Sequence, residues 1–483
     1  MTGRGVVAAG HPATAEAGAA ALRDGGNAVD AAVAAVLTSC VAEPLLTGLG
    51  GGGYMLVAPP GQPPVLLDFF VEAPGRGADI AGRVPLLPVV LSFGGATQVF
   101  HVGPSSCGTY GVPAGLVAAA DMFGRMPLAQ LAAPAAALAR AGVRVNPMQA
   151  YLFALLEGVV TSTPECAARY FRDGRPPKEG DLLRDAELGD ALERLGTEGA
   201  APFYTGDIGR AVTSWVRDRG GMLTGEDLAA YAVVRREPLE VGYRGRAVFT
   251  NPPPSAGGTL IARALADLDT RAGQPDALAL LAAMAAADGG ATCPEKATSG
   301  AHRLGSTTHV SVLDADGWAC SVTTSNGSCS GVSVPGTGIH LNNMLGEEDL
   351  SPRGLFTHRV GDRLPSMTAP TVVRRDGVAE LVVGSAGSSR IRSALLQVIS
   401  HTVDGGLSPQ EAIDAPRLHR EEGRLYAEPG VDVAALQAAG HTVSVFDAPN
   451  LYFGGCQAVG RDPGSGAVSG GADHRRGGAL ASA

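Results

Sequence analysis

The sequence predicts a layered fold of the α+β class, centred on β-sheets. Ala-rich helical stretches occupy most of the chain before residue 300, whereas strand-like runs cluster after residue 306. Elements that segregate in this way favour an α+β arrangement over alternating βαβ units. The 483 residues contain no internal repeat and suffice for two or three ordinary domains or for one large layered domain.

The chain opens with two predicted helices. Residues 13–23 and 28–41 carry helix-favouring side chains, and Asp-Gly-Gly-Asn at 24–27 predicts a turn between them. The glycine run at 50–53 leads directly into Tyr-Met-Leu-Val, which indicates a tight backbone passage into a strand. A phosphate loop is disfavoured here, because such loops open a helix and this run lacks a Gly-Lys-Ser/Thr ending.

The middle of the chain is predicted to be mostly helical and the end mostly strand. Residues 113–269 have a helical pattern, interrupted by three consecutive prolines at 252–254 that predict an ordered turn. The polar residues 298–306 predict an exposed linker. Two strands follow at 307–312 and 318–324, joined by an Asp-Gly hairpin turn. Further strands are predicted at 371–374, 380–383 and 454–459.

Charge and composition exclude several classes of partner. The formal net charge is −10 and there is no block of lysine or arginine, which disfavours nucleic acid but leaves a small anionic substrate open. The first residues lack a basic segment followed by a long apolar one, so no secretion signal is visible and we expect a cytoplasmic protein. The apolar runs at 31–41 and 278–287 are too short to span a bilayer.

Cysteines and histidines do not predict a metal or cofactor site. The seven cysteines are odd in number and contain no Cys-x-x-Cys pair, so we expect reduced, buried thiols and no structural zinc. His309 has no spaced His, Cys or Asp neighbours and is predicted to be structural. No cofactor is expected.

A threonine pair at the start of a predicted strand carries the chemical interpretation. Thr307-Thr308-His309 alone is a weak motif, since strands often begin with threonine. Six further motifs appear with it in a fixed order: Gly26-Asn-Ala-Val-Asp-Ala-Ala32, the glycines at 50–53, Gly336-Thr-Gly-Ile-His-Leu-Asn-Asn343, Arg363-Leu-Pro-Ser-Met-Thr-Ala-Pro-Thr371, Gly384-Ser-Ala-Gly-Ser-Ser-Arg390 and Asp473-His-Arg-Arg-Gly477. Together, from residue 5 to residue 477, they resemble the gamma-glutamyltransferase family of N-terminal-nucleophile hydrolases.

The resemblance implies a four-layer αββα sandwich made as a proenzyme. Cleavage between Ser306 and Thr307 would give a large subunit, residues 1–306, and a small catalytic subunit, residues 307–483, which stay associated. The chemistry of threonine explains the cut, because its hydroxyl needs a neighbouring base to become a nucleophile. A terminal α-amino group has a pKa of about 7.7–8.0, near the working pH, and can be that base.

The resemblance also implies roles for residues around Thr307. Gly387 and Ser388 fall where the family forms an oxyanion hole from two backbone N–H groups. Ser388 replaces a glycine, which is tolerable if the position does not require a positive φ. Thr308 and Ser325 match threonines near the nucleophile.

Substrate-binding residues are implied after the Leu-Asn-Asn segment. Asn343 and Asp349 are favoured for gripping the substrate amino group, with Glu347 and Glu348 as alternatives because a local insertion shifts the alignment. Ser366 matches one of two paired serines, while Pro365 occupies the other position.

One departure from the family bears on the substrate. Phe70 stands where the family has the arginine that binds the substrate carboxylate, in the segment Asp68-Phe-Phe-Val-Glu72. An apolar ring cannot replace a bidentate charged clamp. Arg76 lies close in sequence and either compensates or is a solvated surface residue.

Three functions therefore stand as hypotheses. The first is a gamma-glutamyltransferase-like enzyme that hydrolyses or transfers a gamma-glutamyl or similar acyl group through an ester on Thr307. The second is a diverged biosynthetic hydrolase, acting on a non-glutamyl amide or on a carbon–carbon bond beside a carbonyl; Phe70 and the missing secretion signal favour it. The third is a non-catalytic scaffold, against which the retention of Thr307 and Gly387 speaks.

Overall fold

The computed structural model describes residues 4–92, 97–289, 306–351, 353–421 and 423–483. The strands, in chain order, are β1 Gly5–Ala9, β2 Gly52–Ala58, β3 Val65–Phe69, β4 Leu87–Ser92, β5 Thr97–Val102, β6 Val143–Arg144, β7 Leu182–Leu183, β8 Val234–Arg236, β9 Leu239–Tyr243, β10 Arg246–Thr250, β11 Thr307–Asp314, β12 Ala319–Ser325, β13 Ser333–Val334, β14 Ile339–His340, β15 Thr371–Arg375, β16 Val378–Ala386, β17 Leu418–Glu421, β18 Arg424–Ala427, β19 Val443–Val445, β20 Gly455–Arg461, β21 Val468–Ala472 and β22 Ala479–Ser482. The helices are α1 Pro12–Arg23, α2 Ala28–Ala42, α3 Val112–Phe123, α4 Leu128–Ala141, α5 Pro147–Leu155, α6 Glu157–Val160, α7 Pro164–Tyr170, α8 Ala186–Glu198, α9 Ala201–Tyr204, α10 Asp207–Asp218, α11 Gly225–Ala230, α12 Ala256–Asp269, α13 Ala277–Ala287, α14 Arg390–Val403, α15 Pro409–Asp414 and α16 Val433–Ala438.

Two antiparallel sheets form the centre of the molecule. The first has seven strands in the order β22-β1-β11-β12-β2-β3-β8, and the second has six in the order β21-β20-β16-β15-β10-β9. The sheets pack on each other, since Ser321 Oγ of β12 donates to the Val383 carbonyl of β16 at 3.1 Å. The predicted α+β class, with antiparallel sheets, is confirmed.

Helices cover the outer faces of both sheets. Val7 and Ala9 of β1 belong to a core cluster shared with α1 and α2, whereas Val6 and Ala8 belong to the cluster between the sheets. A third cluster joins the second sheet to α12, α13 and α14. A strand that is buried on both faces has a continuously apolar sequence, without the alternation of apolar and polar residues that marks a half-exposed strand.

Most predicted elements are confirmed. The first two helices are α1 and α2, and a capping box at Asn27 and Asp30 explains why α2 begins at Ala28. The glycine run leads into β2, and the predicted hairpin is β11 and β12, paired from Thr307 opposite Ser325 to Leu313 opposite Ala319. The predicted strands after residue 370 are β15, β16 and β20.

The helical prediction for residues 113–269 is wrong at three places, where β6 occupies residues 143–144, β7 occupies residues 182–183, and β8, β9 and β10 occupy residues 234–250. The linker predicted at 298–306 lies outside the described residues except for Ser306, which is buried. The six cysteines in the described ranges are unpaired and buried, as expected; Cys293 lies outside these ranges. Within the same ranges, no helix combines the length and the apolar character needed to cross a membrane.

Candidate active site

Thr307 is the first residue of β11, and its hydroxyl group begins a chain of hydrogen bonds. Its Oγ1 donates to Ser325 Oγ at 3.2 Å, because the two residues are direct partners across the β11–β12 ladder. Ser325 Oγ in turn donates to the carbonyl oxygen of Ser306 at 2.6 Å and accepts from Gly327 N at 3.0 Å. The nucleophile predicted from the sequence is thus linked by one hydroxyl to the carbonyl of the predicted cleavage site.

A pocket of about 410 Å³, counting its open mouth, adjoins Thr307. It brings together four predicted site residues, Thr307, Ser325, Ser366 and Ser388. The other lining residues are mostly apolar, with one carboxylate and no arginine, lysine or histidine among those described: Phe70, Gly327, Met344, Glu347, Leu350, Met367, Thr368 and Ile391.

The predicted oxyanion-hole residues lie at the turn between β16 and α14. Gly387 has φ 131°, and a Cβ there would approach Gly454 Cα to 2.9 Å, so glycine is required. Ser388 has φ 53°, in the left-handed region, so the condition under which serine would be unstrained is not met. The turn precedes a helix of 14 residues, whose amino end favours negative charge.

Thr308 points away from the pocket and contacts a buried acid. Its Oγ1 donates to Glu43 Oε2 at 2.6 Å, and Thr14 Oγ1 donates to Glu43 Oε1 at 2.8 Å. Burial raises the pKa of Glu43 from its ordinary value of 4.5 to about 7, and the two hydroxyl donors only partly oppose this shift. The sequence interpretation missed Glu43, although an acid at the end of an apolar helix is a visible anomaly.

The residues predicted to bind the substrate amino group do not all lie at the pocket. Asn343 is fully buried behind the pocket wall, where its Oδ1 accepts from Ser328 N at 2.7 Å. Glu347 lines the pocket and accepts from Ser328 N and Oγ, each at 3.0 Å. The side chain of Asp349 lies outside the part of the chain that the structure describes. Of the acids considered, Glu347 is therefore the one with a described place at the pocket.

Phe70 occupies the pocket wall and has an aromatic partner. Its ring stacks on Tyr54 with centroids 5.2 Å apart, and the side chain is 1% exposed. Arg76 does not line the pocket; it pairs with Glu72 at 3.2 Å and with Asp227 at 3.4 Å. The suggestion that Arg76 replaces the missing clamp is therefore not supported by its position.

His309 lies between the two sheets. Its Nδ1 is 2.7 Å from Thr323 Oγ1 and its Nε2 is 2.9 Å from Ser311 Oγ. Burial lowers its pKa to about 3, so the ring is neutral. Its contacts agree with a structural role, and no group of three metal-ligating side chains occurs in the described ranges.

Comparisons with known proteins extend over the whole chain. The family model described as gamma-glutamyltranspeptidase matches residues 14–285 and 280–483. The chain is 31% identical to the glutathione hydrolase proenzyme of Escherichia coli, over 92% of this chain and 89% of the relative. It is 32% identical to the acylase ACY 1 proenzyme of Pseudomonas sp. strain SE83, over 95% of this chain and 90% of the relative.

A solved structure also resembles the whole molecule. The cephalosporin acylase from Bacillus halodurans superposes with a TM-score of 0.86 at 27% identity, covering 99% of this chain and 96% of that one. The fold and its relatives define the class, the N-terminal-nucleophile hydrolases. Within that class, the chain belongs to the gamma-glutamyltranspeptidase family.

Proposed function

We propose that this protein is a self-cleaving acylase that uses Thr307 to hydrolyse or transfer a small acyl group lacking an α-carboxylate. The observation that carries the proposal is the pocket beside Thr307, whose described lining residues are Phe70 and other apolar or hydroxyl-bearing side chains with one carboxylate, Glu347. The relatives named as acylases support it.

Self-cleavage is proposed to begin with attack of Thr307 Oγ1 on the carbonyl carbon of Ser306. Ser325 Oγ, 2.6 Å from that carbonyl oxygen, donates to it as negative charge develops. The C–N bond breaks, the hydroxyl proton passes to the leaving nitrogen, and an ester forms on Thr307. Water then hydrolyses the ester, returning a proton to Oγ1. The products are residues 1–306 and 307–483, which we propose form the two subunits of a four-layer αββα sandwich.

The mature enzyme would reuse the same hydroxyl. The new α-amino group of Thr307 accepts the hydroxyl proton while Oγ1 attacks the substrate carbonyl. The N–H groups of Gly387 and Ser388 stabilise the oxyanion. The leaving amine departs with the proton, and water or an acceptor amine releases the acyl group from the ester.

The substrate class follows from the charges lining the pocket. Glu347 can bind an ammonium group on the acyl chain, whereas no cation among the described lining residues can bind a carboxylate. A gamma-glutamyl group carries both charges. Its analogue without the carboxylate, the 4-aminobutyryl group, matches the pocket better.

A gamma-glutamyl substrate is the second candidate. The relatives named glutathione hydrolase favour it. Ser366 also favours it, because it lines the pocket and matches one of the paired serines of the family.

The first test is the intact mass of the purified protein beside a Thr307→Ala variant. We expect two fragments from the wild type, the smaller beginning at Thr307, and a single chain from the variant. An uncut wild-type chain would contradict the proposal and favour the scaffold hypothesis.

The second test compares three p-nitroanilides that differ by one charge each: gamma-glutamyl, 4-aminobutyryl and butyryl. We expect kcat/KM for 4-aminobutyryl to exceed that for gamma-glutamyl by about tenfold or more, since a charged hydrogen bond contributes about 1.5–3 kcal/mol. A Phe70→Arg variant that still self-cleaves should reverse this order. Efficient turnover of the gamma-glutamyl anilide by the wild type would refute the argument from Phe70. Failure of the processed enzyme on all three would favour a carbon–carbon bond hydrolase.

A further inference from the structure

The amino end of β11 is paired to only one neighbouring strand in the described structure. Pairing with β12 continues to Thr307 opposite Ser325. Pairing with β1 runs from Gly5 opposite Asp314 only as far as Ala8 opposite Ser311. Thr307 and Thr308 therefore lack a second ladder. With the 306–307 bond intact, the preceding chain still constrains them; after cleavage they form a free strand end, which frays easily.

Glu43 contacts this strand end where the second ladder is missing. Its backbone is fixed as the carboxyl-terminal cap of α2, with Glu43 N donating to Ser39 O at 2.7 Å. Its carboxyl group accepts from Thr308 Oγ1 at 2.6 Å, and Thr14 Oγ1 on α1 holds the other oxygen. The side chain is 4% exposed and forms no ion pair within the described residues. A buried acid without a counter-charge is costly, which calls for a functional explanation.

The neighbouring backbone is shaped to admit this contact. A Cβ at Gly10 would approach Glu43 Oε2 to 2.4 Å and Thr308 Oγ1 to 2.7 Å, so only glycine leaves room for the pair. Opposite faces of the strand end are thus held by two hydroxyl contacts, from Thr307 to Ser325 and from Thr308 to Glu43.

We propose that Glu43 is a positioning residue that holds the new amino terminus after self-cleavage, so that Thr307 Oγ1 and its α-amino group keep their alignment with the pocket. This inference rests on the proposed self-cleavage at Thr307. Glu43 touches neither substrate nor the reacting atoms; it acts through Thr308.

Thr307 takes part in two reactions, self-cleavage and substrate turnover, and comparing them distinguishes a positioning role of Glu43 from a merely structural one. Self-cleavage takes place on a continuous chain and needs the Glu43 contact little, whereas turnover uses a free strand end and needs it throughout. We expect Glu43→Ala to self-cleave to completion while kcat on the best of the three anilides falls by about tenfold or more, since small misplacement of a reacting group is costly. KM should stay within about twofold, because the pocket residues are unchanged. Glu43→Gln, which keeps an acceptor for Thr308, should restore most of kcat.

The matched variants remove, one at a time, the two hydroxyl groups that Glu43 contacts, those of Thr308 and Thr14. Thr308→Val should reproduce the Glu43→Ala effect, and the double variant should be no worse than either single one, because both remove the same contact. Thr14→Val removes a hydrogen bond outside the strand and should lower kcat less.

The outcomes are distinct. Equal losses in self-cleavage and in kcat, additive effects of Glu43→Ala and Thr308→Val, or no loss of kcat in either variant would each overturn the proposal. If Glu43→Ala does not fold, Thr308→Val with its intact-mass and kinetic readouts decides in the same way. Absence of cleavage in the wild type would instead refute the proposed function itself.

Discussion

Ser388 combines backbone strain with a position at the candidate active site. Its φ of 53° is one that an L-residue adopts at a cost of about 1–2 kcal/mol, and its side chain lines the pocket. Strained residues persist where the surrounding structure holds them, often at functional sites. The strain here accompanies a turn whose N–H groups are proposed to stabilise an oxyanion.

Two replacements of Ser388 should distinguish the effect of backbone strain on stability from the effect of losing the side chain. Ser388→Gly relieves about 1–2 kcal/mol of strain but costs about 0.4–1 kcal/mol through the greater entropy of the unfolded chain, so we expect it to be as stable as the wild type or up to about 1.6 kcal/mol more stable. Ser388→Ala keeps the strain and should be the less stable of the two variants. Chemical denaturation of both measures the difference. An alanine variant more stable than the glycine variant would show that the φ of this residue is not a source of strain.

Glu43 should make stability depend on pH in a predictable direction. Its folded-state pKa of about 7 is raised above the ordinary value of 4.5, so the folded state binds more protons between these values. The stability that comes from a protonated Glu43 is therefore complete below about pH 4.5 and lost as the pH rises through about 7. Cys40, His11 and Arg476 lie near the carboxyl group and share its environment.

A Glu43→Gln variant removes this titration. Its unfolding free energy relative to the wild type should rise between about pH 5 and pH 8, by a few kcal/mol at most, since one pKa unit corresponds to about 1.4 kcal/mol. Melting temperatures of both proteins across this range measure the effect. A difference that is constant with pH, or that falls, would show that Glu43 titrates normally.

The sequence singled out residues that line one pocket but missed a residue that lies behind them; the chemical roles of the lining residues stay predictions. Thr307, Ser325, Ser366 and Ser388 meet at one pocket, as the ordered motifs indicated. Glu43 was missed because its importance lies in a contact with Thr308 across 265 positions of the chain. The local pattern marks Glu43 as an unusual acid, but its partner is set by tertiary packing, which local patterns do not specify.

At the scale of elements, a buried charge network explains the motif at 473–477. Asp473 accepts from Arg417 at 2.6 Å and from Arg475 at 3.3 Å, and Arg475 also bonds to Glu428 at 2.6 Å. All four side chains are buried. The network fixes the start of β20, because Cys456 N donates to Asp473 Oδ2 at 2.9 Å.

This network supports the turn at Gly387 and Ser388 from behind. Gly454, which follows the short helical turn at Leu451–Phe453, packs on Gly387 so closely that a Cβ at Gly387 would lie 2.9 Å from its Cα. Arg417 donates to the carbonyl of Phe453 at 3.1 Å. The ion pair between Asp473 and Arg417 therefore holds the start of β20, on which the turn at Gly387 packs.

Asp473→Asn should be strongly destabilising. The substitution keeps the shape but leaves two buried arginines without part of their counter-charge, which costs about 3–5 kcal/mol when one partner of a buried pair is removed. Urea denaturation measures the loss, and Asp376→Asn, whose side chain is 93% exposed, is the control and should leave the midpoint unchanged. Equal midpoints for both variants would show that the buried network does not contribute to stability.

The hairpin of β9 and β10 shows why one set of strands escaped prediction. The two strands pair from Arg246 opposite Tyr243, so Arg244 and Gly245 form a two-residue turn with φ 51° and 74°. Such turns are usually recognised by Asn-Gly or Asp-Gly. Arginine at the first position is unusual, and here its side chain is held by Asp404 at 2.7 Å. A tertiary contact thus replaces the local preference on which the prediction relied.

At the scale of the whole molecule, strands from before and after residue 306 interleave in the first central sheet and adjoin each other in the second. In the first sheet β1 lies between β22 and β11, and β12 pairs with β2; in the second sheet β10 pairs with β15. Four ladders therefore join the two proposed subunits, in addition to the apolar clusters outside and between the sheets. The resemblance of ordered motifs implied a layered sandwich and two associated subunits, but neither it nor local periodicity gave the order of the strands.

Because of this interleaving, self-cleavage should not release the fragments. Separating them would break backbone ladders and expose apolar core on several faces, and neither contribution is weakened by salt in the way that surface ion pairs are. We expect the cleaved protein to elute as one species on size-exclusion chromatography in about 1 M NaCl, at the volume of the uncut Thr307→Ala chain. Both fragments should appear in that peak on a denaturing gel and should separate only in concentrated guanidinium chloride, which solvates apolar and peptide groups alike. Elution of the fragments as two peaks in salt alone would mean that the ladders between β1 and β11 and between β12 and β2 do not hold the molecule together, and the assignment of residue 306 as the subunit boundary would have to be abandoned.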